Sequence, residues 1–134
     1  MRHTANMAED DEALRIEVAL HGDGWAEHTS LARELRTWAR LAQEVNAYTG
    51  TVDDYTNDLC SRDYLEEMQA RASLRLRHSI DQELAPMDLS FRMATVPDTD
   101  ERLASFFAID SRDGWWWRRR PSWGPLAEYL AGGR

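Results

Sequence analysis

Apolar residues recur along much of the chain at steps of three and four. Leu31, Leu35, Trp38, Ala42, Val45 and Tyr48 follow one another at steps of four, three, four, three and three, which places them on a single stripe of an amphipathic helix. Arg33, Glu34, Arg36, Arg40 and Glu44 fill the other faces. This helix starts either at Asp23, acting as its cap, or at Thr29–Ser30, and Gly50 is placed to stop it. Upstream the period changes. Leu14, Ile16, Val18 and Leu20 alternate with Arg15, Glu17 and Ala19, and period two predicts a strand over 13–20 with one buried face. The HGDG tetrapeptide at 21–24 reads as the turn after it. Residues 1–12 are polar and acidic and read as a disordered arm, which leaves 13–134 as a single domain long enough to bury a core.

The stretch from Tyr48 to Glu67 divides the helical pattern before it from the pattern after it. Thr51 is placed to cap a short helix, with Asp54 three residues later in the manner of a capping box. Val52, Tyr55 and Leu59 would line its inner face. Ser61 can then cap a second helix from Arg62, with Tyr64, Leu65, Met68 and Ala72 facing inward.

Residues 73–95 fit two periods. Leu74, Leu76, His78, Ile80 and then Met87, Leu89, Phe91, Met93 alternate as hairpin strands, whereas Leu76, Ile80, Leu84, Met87 and Phe91 recur as a helix stripe. Gln82 to Ala85 are good helix formers and poor turn residues, which favours helix, with Pro86 kinking it or opening a new one. Residues 96–101 read as a loop. SFFAID and WWWRRR read as a hairpin about Asp113-Gly114, and Pro125 opens a last short helix before Gly132-Gly133. The fold class is therefore α+β: a mostly helical core of about four helices, with a small antiparallel sheet from the N-terminal strand and the C-terminal hairpin.

Charge narrows the function classes. Net charge is −8, and all 16 basic residues are arginine. Residues 1–70 carry −9 and residues 71–134 carry +1. An acidic half disfavours nucleic acid and anionic membrane and suits a basic partner. No apolar run approaches the roughly 20 residues of a membrane span, and residues 1–12 lack the apolar run of a signal peptide. Cys60 is the sole cysteine, so an internal disulfide is impossible and a cytoplasmic location fits.

Candidate chemistry is sparse. The acid cluster Asp53, Asp54, Asp58, Asp63, Glu66 and Glu67 lacks the glycine spacing of a calcium loop. Helix starts account for most of these carboxylates, so neither a metal nor any other cofactor is predicted. His3, His21, His28 and His78 contain no zinc-helix spacing. Cys60 has no catalytic context and reads as a small buried thiol, and HGDG lacks the lysine and glycine spacing of a phosphate loop. No catalytic residue is assigned; a pocket gathering His28 or His78 with Asp and Tyr would indicate an enzyme. The distinctive segment is WWWRRRPSW at 115–123, which holds four of the six tryptophans. As a strand it would point Trp115 and Trp117 one way and Trp116 with Arg118 the other. The plain alternative is a core strand followed by arginines that pair internally.

The leading expectation is a small acidic, non-catalytic protein of immunity-protein or inhibitor type that docks on a basic partner protein. Its expected contacts are Asp53, Asp54, Asp58 and Asp63 on one surface and Trp116, Arg118, Arg119 and Arg120 on another. Tryptophan and arginine dominate protein–protein hot spots. They also serve single-stranded nucleic acid, so a nucleic-acid module using the C-terminal hairpin is the alternative, and an enzyme with an unrecognised site is the third. A homodimer through exposed aromatic residues is a further possibility.

Overall fold

The computed structural model describes residues 2–106, 109 and 114–132. Helix α1 runs Arg2–Gly22, α2 Leu31–Glu44, α3 Val52–Arg71 and α4 Leu74–Ala94; strands β1 (Thr95–Pro97) and β2 (Arg119–Pro121) and a short α5 (Pro125–Leu130) follow. Helix α2 packs along both α3 and α4, with α1 against α3 and α4. Trp38 sits at the centre of this bundle, fully buried against Phe91 with ring centroids 4.7 Å apart. Among the described residues no helix is long and apolar enough to cross a membrane.

The predicted N-terminal strand is a helix. In α1, Ala13, Ile16 and Leu20 are buried, at helical spacing, while Leu14 and Val18 face solvent. Eight residues are too few for alternation to exclude a helix, and Ala, Leu, Arg and Glu are good helix formers. Residues 2–12, whose composition predicts a disordered arm, are helical and continuous with this segment. Glu12 accepts hydrogen bonds from the Ser73 backbone N–H at 2.6 Å and the Ser73 hydroxyl at 2.7 Å. These bonds hold the Glu12 carboxyl below its ordinary range.

Helix α2 starts after Ser30, whose hydroxyl accepts from Arg33 N–H, and ends before Gly50, in a 3-10 turn at Val45–Ala47. The Thr51–Asp54 capping box is present in full. The break predicted at Ser61 is absent, because the buried stripe Val52, Tyr55, Leu59, Arg62, Leu65, Met68 stays in phase through it. Ser61 instead faces α2 and donates to buried Glu34 Oε1 at 2.7 Å. Residues 74–94 form one helix that buries Leu76, Ile80, Leu84 and Phe91, as the favoured period predicts, with Pro86 on its exposed side.

The sheet differs most from the pattern. Strand β2 pairs antiparallel with β1, Thr95 opposite Pro121 and Pro97 opposite Arg119. The partner strand thus comes from the segment at the end of α4, where the sequence reads as a loop. Trp115–Arg118 is a 3-10 turn rather than a strand. Its tight winding carries the adjacent Trp116 and Trp117 together into the core. Asp113 and residues 107, 108 and 110 of the expected hairpin lie outside the described residues. Gly124 turns the chain into α5 at φ +104°, and a Cβ there would lie 1.9 Å from the Asn46 carbonyl oxygen, so only glycine fits.

Candidate functional site

The acids of α3 divide by what they touch. Asp54 closes the capping box, its carboxylate accepting from Thr51 N–H at 3.0 Å. Asp58 is half-buried and accepts from the Tyr48 hydroxyl at 2.9 Å; burial raises its pKa above the usual carboxylate range. Burial and this bond also raise the Tyr48 pKa. Asp63 Oδ1 accepts from both Trp116 Nε1 and Trp117 Nε1, each at 2.8 Å. Only Asp53, Glu66 and Glu67 of the cluster present carboxylates to solvent without such a tie, and Glu66 and Glu67 make no closer pairing than 3.5 Å to Arg62 and Arg71.

The basic residue within this acidic run is turned inward. Arg62 is 5% exposed and bonds Asp88 through Nε at 3.0 Å and Nη2 at 2.9 Å. Asp88 also accepts from the Trp38 indole at 2.9 Å, so one carboxylate of α4 ties α2 and α3 together. The Arg62 guanidinium lies 4.4 Å from the centre of the Trp116 ring, which extends the network to the tryptophan turn. Arg92 stacks 3.7 Å over Trp115 in the same way. With Arg62 buried, the outer surface of α3 before Arg71 is acidic and unrelieved by any basic side chain of its own.

Of the residues expected on the two surfaces, only Asp63 and Trp116 are brought together. Where they join, Trp25, Asp63, Glu66, Glu67, Gly114, Trp115 and Trp116 enclose a recess of about 430 Å³. Its walls are ordered by specific contacts. Trp116 is fixed by Asp63, and its indole lies so close to Gly114 that a Cβ there would overlap the ring at 2.2 Å. Trp25 packs edge-on against buried Tyr64 with centroids 5.2 Å apart. Trp116 is buried rather than presented as a surface contact, at 3% exposure, so it serves the recess as a wall.

Arg119 and Arg120 are bound within the fold. Arg119 donates to the Thr95 hydroxyl and to the carbonyls of Arg92 and Thr95. Arg120 pairs with Asp98 at 2.9 Å and with Asp100. The internal-pairing alternative thus describes these two, although their partners flank β1 rather than lie on the acidic helices. Arg118 is exposed at the end of the turn. Among the described residues the most exposed aromatic side chains are Trp123, Tyr129 and Phe106, the last two paired at 5.6 Å.

Two other depressions lie on the helical bundle. A groove of about 660 Å³ between α1, α2 and α4 has an apolar floor, including Ala13, Leu31, Leu35 and Met87. A smaller cleft between α2 and α3 collects His28, Glu34, Asp58, Cys60 and Ser61. In that cleft the Ser61 proton goes to Glu34, and no hydrogen bond joins His28 to Ser61 or Cys60. Burial, with Asp63, Asp58 and Glu34 nearby, pushes the Cys60 thiol up to about 11, so it stays protonated at neutral pH. That is the opposite of an activated nucleophile. Among the described residues no three His, Cys, Asp or Glu side chains gather as metal ligands.

Trp25, Arg62 and Asp88 escape pattern reading altogether, and Trp115, Glu66 and Glu67, visible in the sequence, are not among the expected contacts. Trp25 follows a glycine turn among polar residues, and an aromatic there with no stripe to join is the one available signal. Compared with protein-family models, curated proteins and solved structures, the chain matches none.

Proposed function

We propose that this chain is an acidic, non-catalytic protein that docks on a basic partner protein, in the manner of an immunity protein or inhibitor. The observation that carries the reading is the recess in which Trp25, Trp115 and Trp116 stand beside Asp63, Glu66 and Glu67 on the acidic face of α3. Rigid aromatic side chains bordered by exposed acidic side chains supply an anchor and long-range steering together. Glu66, Glu67 and Asp53 carry the steering charge, because Asp54, Asp58 and Asp63 are bonded within the fold. Arg119 and Arg120 are likewise bonded internally, which weighs against their use as phosphate contacts for nucleic acid.

The test is capture from lysate of the native cell by the immobilised chain, with and without nuclease, at low and high salt. A single protein should be retained after nuclease treatment, be released by salt, and be lost with a Glu66→Arg/Glu67→Arg variant. Retention that vanishes on nuclease treatment, or that is indifferent to the double charge reversal, would refute docking through this face.

A further inference from the structure

We infer that the recess bounded by Trp25, Trp115, Trp116, Asp63, Glu66 and Glu67 is a cage for the guanidinium of a partner arginine, an inference that rests on the docking reading above. The chemistry of the walls selects a cation. Indole faces are electron-rich and attract positive charge. Three carboxylates, Asp63, Glu66 and Glu67, line the recess, and among the described residues no basic side chain does. Negative charge is in excess among these residues, so an anionic or phosphate-bearing ligand is disfavoured.

The structure also separates guanidinium from ammonium. A guanidinium is planar, is weakly hydrated, stacks on indole and forks onto carboxylates, whereas an ammonium is a compact, strongly hydrated charge. The chain already stacks its own arginines on these indoles twice, and one of the two also forks onto a carboxylate. Arg62 lies 4.4 Å from the Trp116 ring centre while it bonds both oxygens of Asp88, and Arg92 lies 3.7 Å from that of Trp115. A partner arginine in the recess would meet the same two kinds of group, Trp and carboxylate. The volume of about 430 Å³ is within the range of small-ligand sites, roughly 300–1,000 Å³. Walls held by the Asp63 bonds and by close packing on Gly114 need little reordering on binding.

The test is a titration of the full-length ¹⁵N-labelled chain, following its six indole N–H signals. The probes are N-acetyl-arginine-methylamide and its lysine and citrulline counterparts. Citrulline has nearly the shape of arginine without the charge. Arginine should shift the Trp25, Trp115 and Trp116 signals saturably, lysine several-fold more weakly, and citrulline not at all. A Glu66→Gln/Glu67→Gln variant, both positions exposed, should keep the indole pattern of the free protein and bind arginine roughly threefold to tenfold more weakly. Equal response to citrulline, shifts confined to other tryptophans, no response to arginine, or unchanged binding by the double variant would overturn the cage. Failure here with a basic protein still held through Glu66 and Glu67 would remove the cage and leave the docking reading. Arginine bound in the recess with no partner captured would do the reverse.

Discussion

Asp63 makes the sharpest quantitative prediction. One carboxylate oxygen accepts both indole N–H groups of Trp116 and Trp117, which are 3% and 6% exposed. Asp63→Ala removes that acceptor and leaves two buried donors facing a small void. Each buried donor without an acceptor costs about 1–3 kcal/mol, so the variant should lose about 2–6 kcal/mol in all. Asp63→Asn keeps a carbonyl oxygen at the same place and loses only the extra strength of a charged acceptor, so about 1 kcal/mol is expected. The assay is urea unfolding followed by tryptophan fluorescence and by circular dichroism, with coincident curves required before a free energy is assigned. The midpoint should fall in the order wild type, Asp63→Asn, Asp63→Ala, at constant slope. Asp53, exposed in the first turn of the same helix, is the control; Asp53→Ala should change stability by only a few tenths of a kcal/mol. An Asp63→Ala variant within about 0.5 kcal/mol of wild type would refute the claim that this carboxylate holds the tryptophan turn to α3.

Three further perturbations probe other parts of the structure. Asp88→Ala strands the buried Arg62 guanidinium and the Trp38 indole together, and unfolding in denaturant should show a loss of about 3–5 kcal/mol. Gly124→Ala meets both a backbone region reserved for glycine, costing about 1–3 kcal/mol, and the Asn46 carbonyl; thermal melting should fall well below wild type, and an unchanged melt would contradict the packing of α5. Cys60, raised to about 11 in the fold, should alkylate slowly at pH 8 and accelerate only as pH approaches that value. In the unfolded chain the thiol ionises near its ordinary value of about 8.5, so stability should fall as pH rises between the two. Alkylation rates against pH, in buffer and in urea, check both statements.

How much of this was legible in the sequence depends on the length of each pattern. The stripes of α2 and α4 extend over several turns, and the buried residues are those the spacing selects. Residues 13–20 offer only eight positions, in which Ile16 and Leu20 belong equally to a strand face and a helix face. What decides is tertiary: Ala13, Ile16 and Leu20 reach α3 and α4, and among the described residues no strand lies beside them to pair with. Ser61 shows the limit of capping rules, since a hydroxyl that can start a helix can equally donate from its interior to Glu34. The recess was half legible. Acids and tryptophans stood out separately, but the bonds that join them span more than fifty residues, and local pattern carries no information at that range.

That junction changes how the acidic face has to be tested. Reversing Asp53, Asp54, Asp58 and Asp63 together is the obvious experiment on a cluster of four aspartates, yet three of them are structural. Arginine at 54 breaks the capping box, at 58 it removes the acceptor for Tyr48, and at 63 it strands two indoles and adds a cation beside Arg62. Such a variant should fail to fold, and its loss of binding would say nothing about docking. Glu66→Arg/Glu67→Arg alters the same face at exposed positions whose own ion pairs, at 3.5 Å, contribute at most about 1 kcal/mol each. The double variant should therefore melt within a few degrees of wild type while retention of a basic partner is lost. If it unfolds instead, Glu66 is needed to balance the buried Arg62, and the acidic surface of α3 exists to stabilise the bundle rather than to meet a partner.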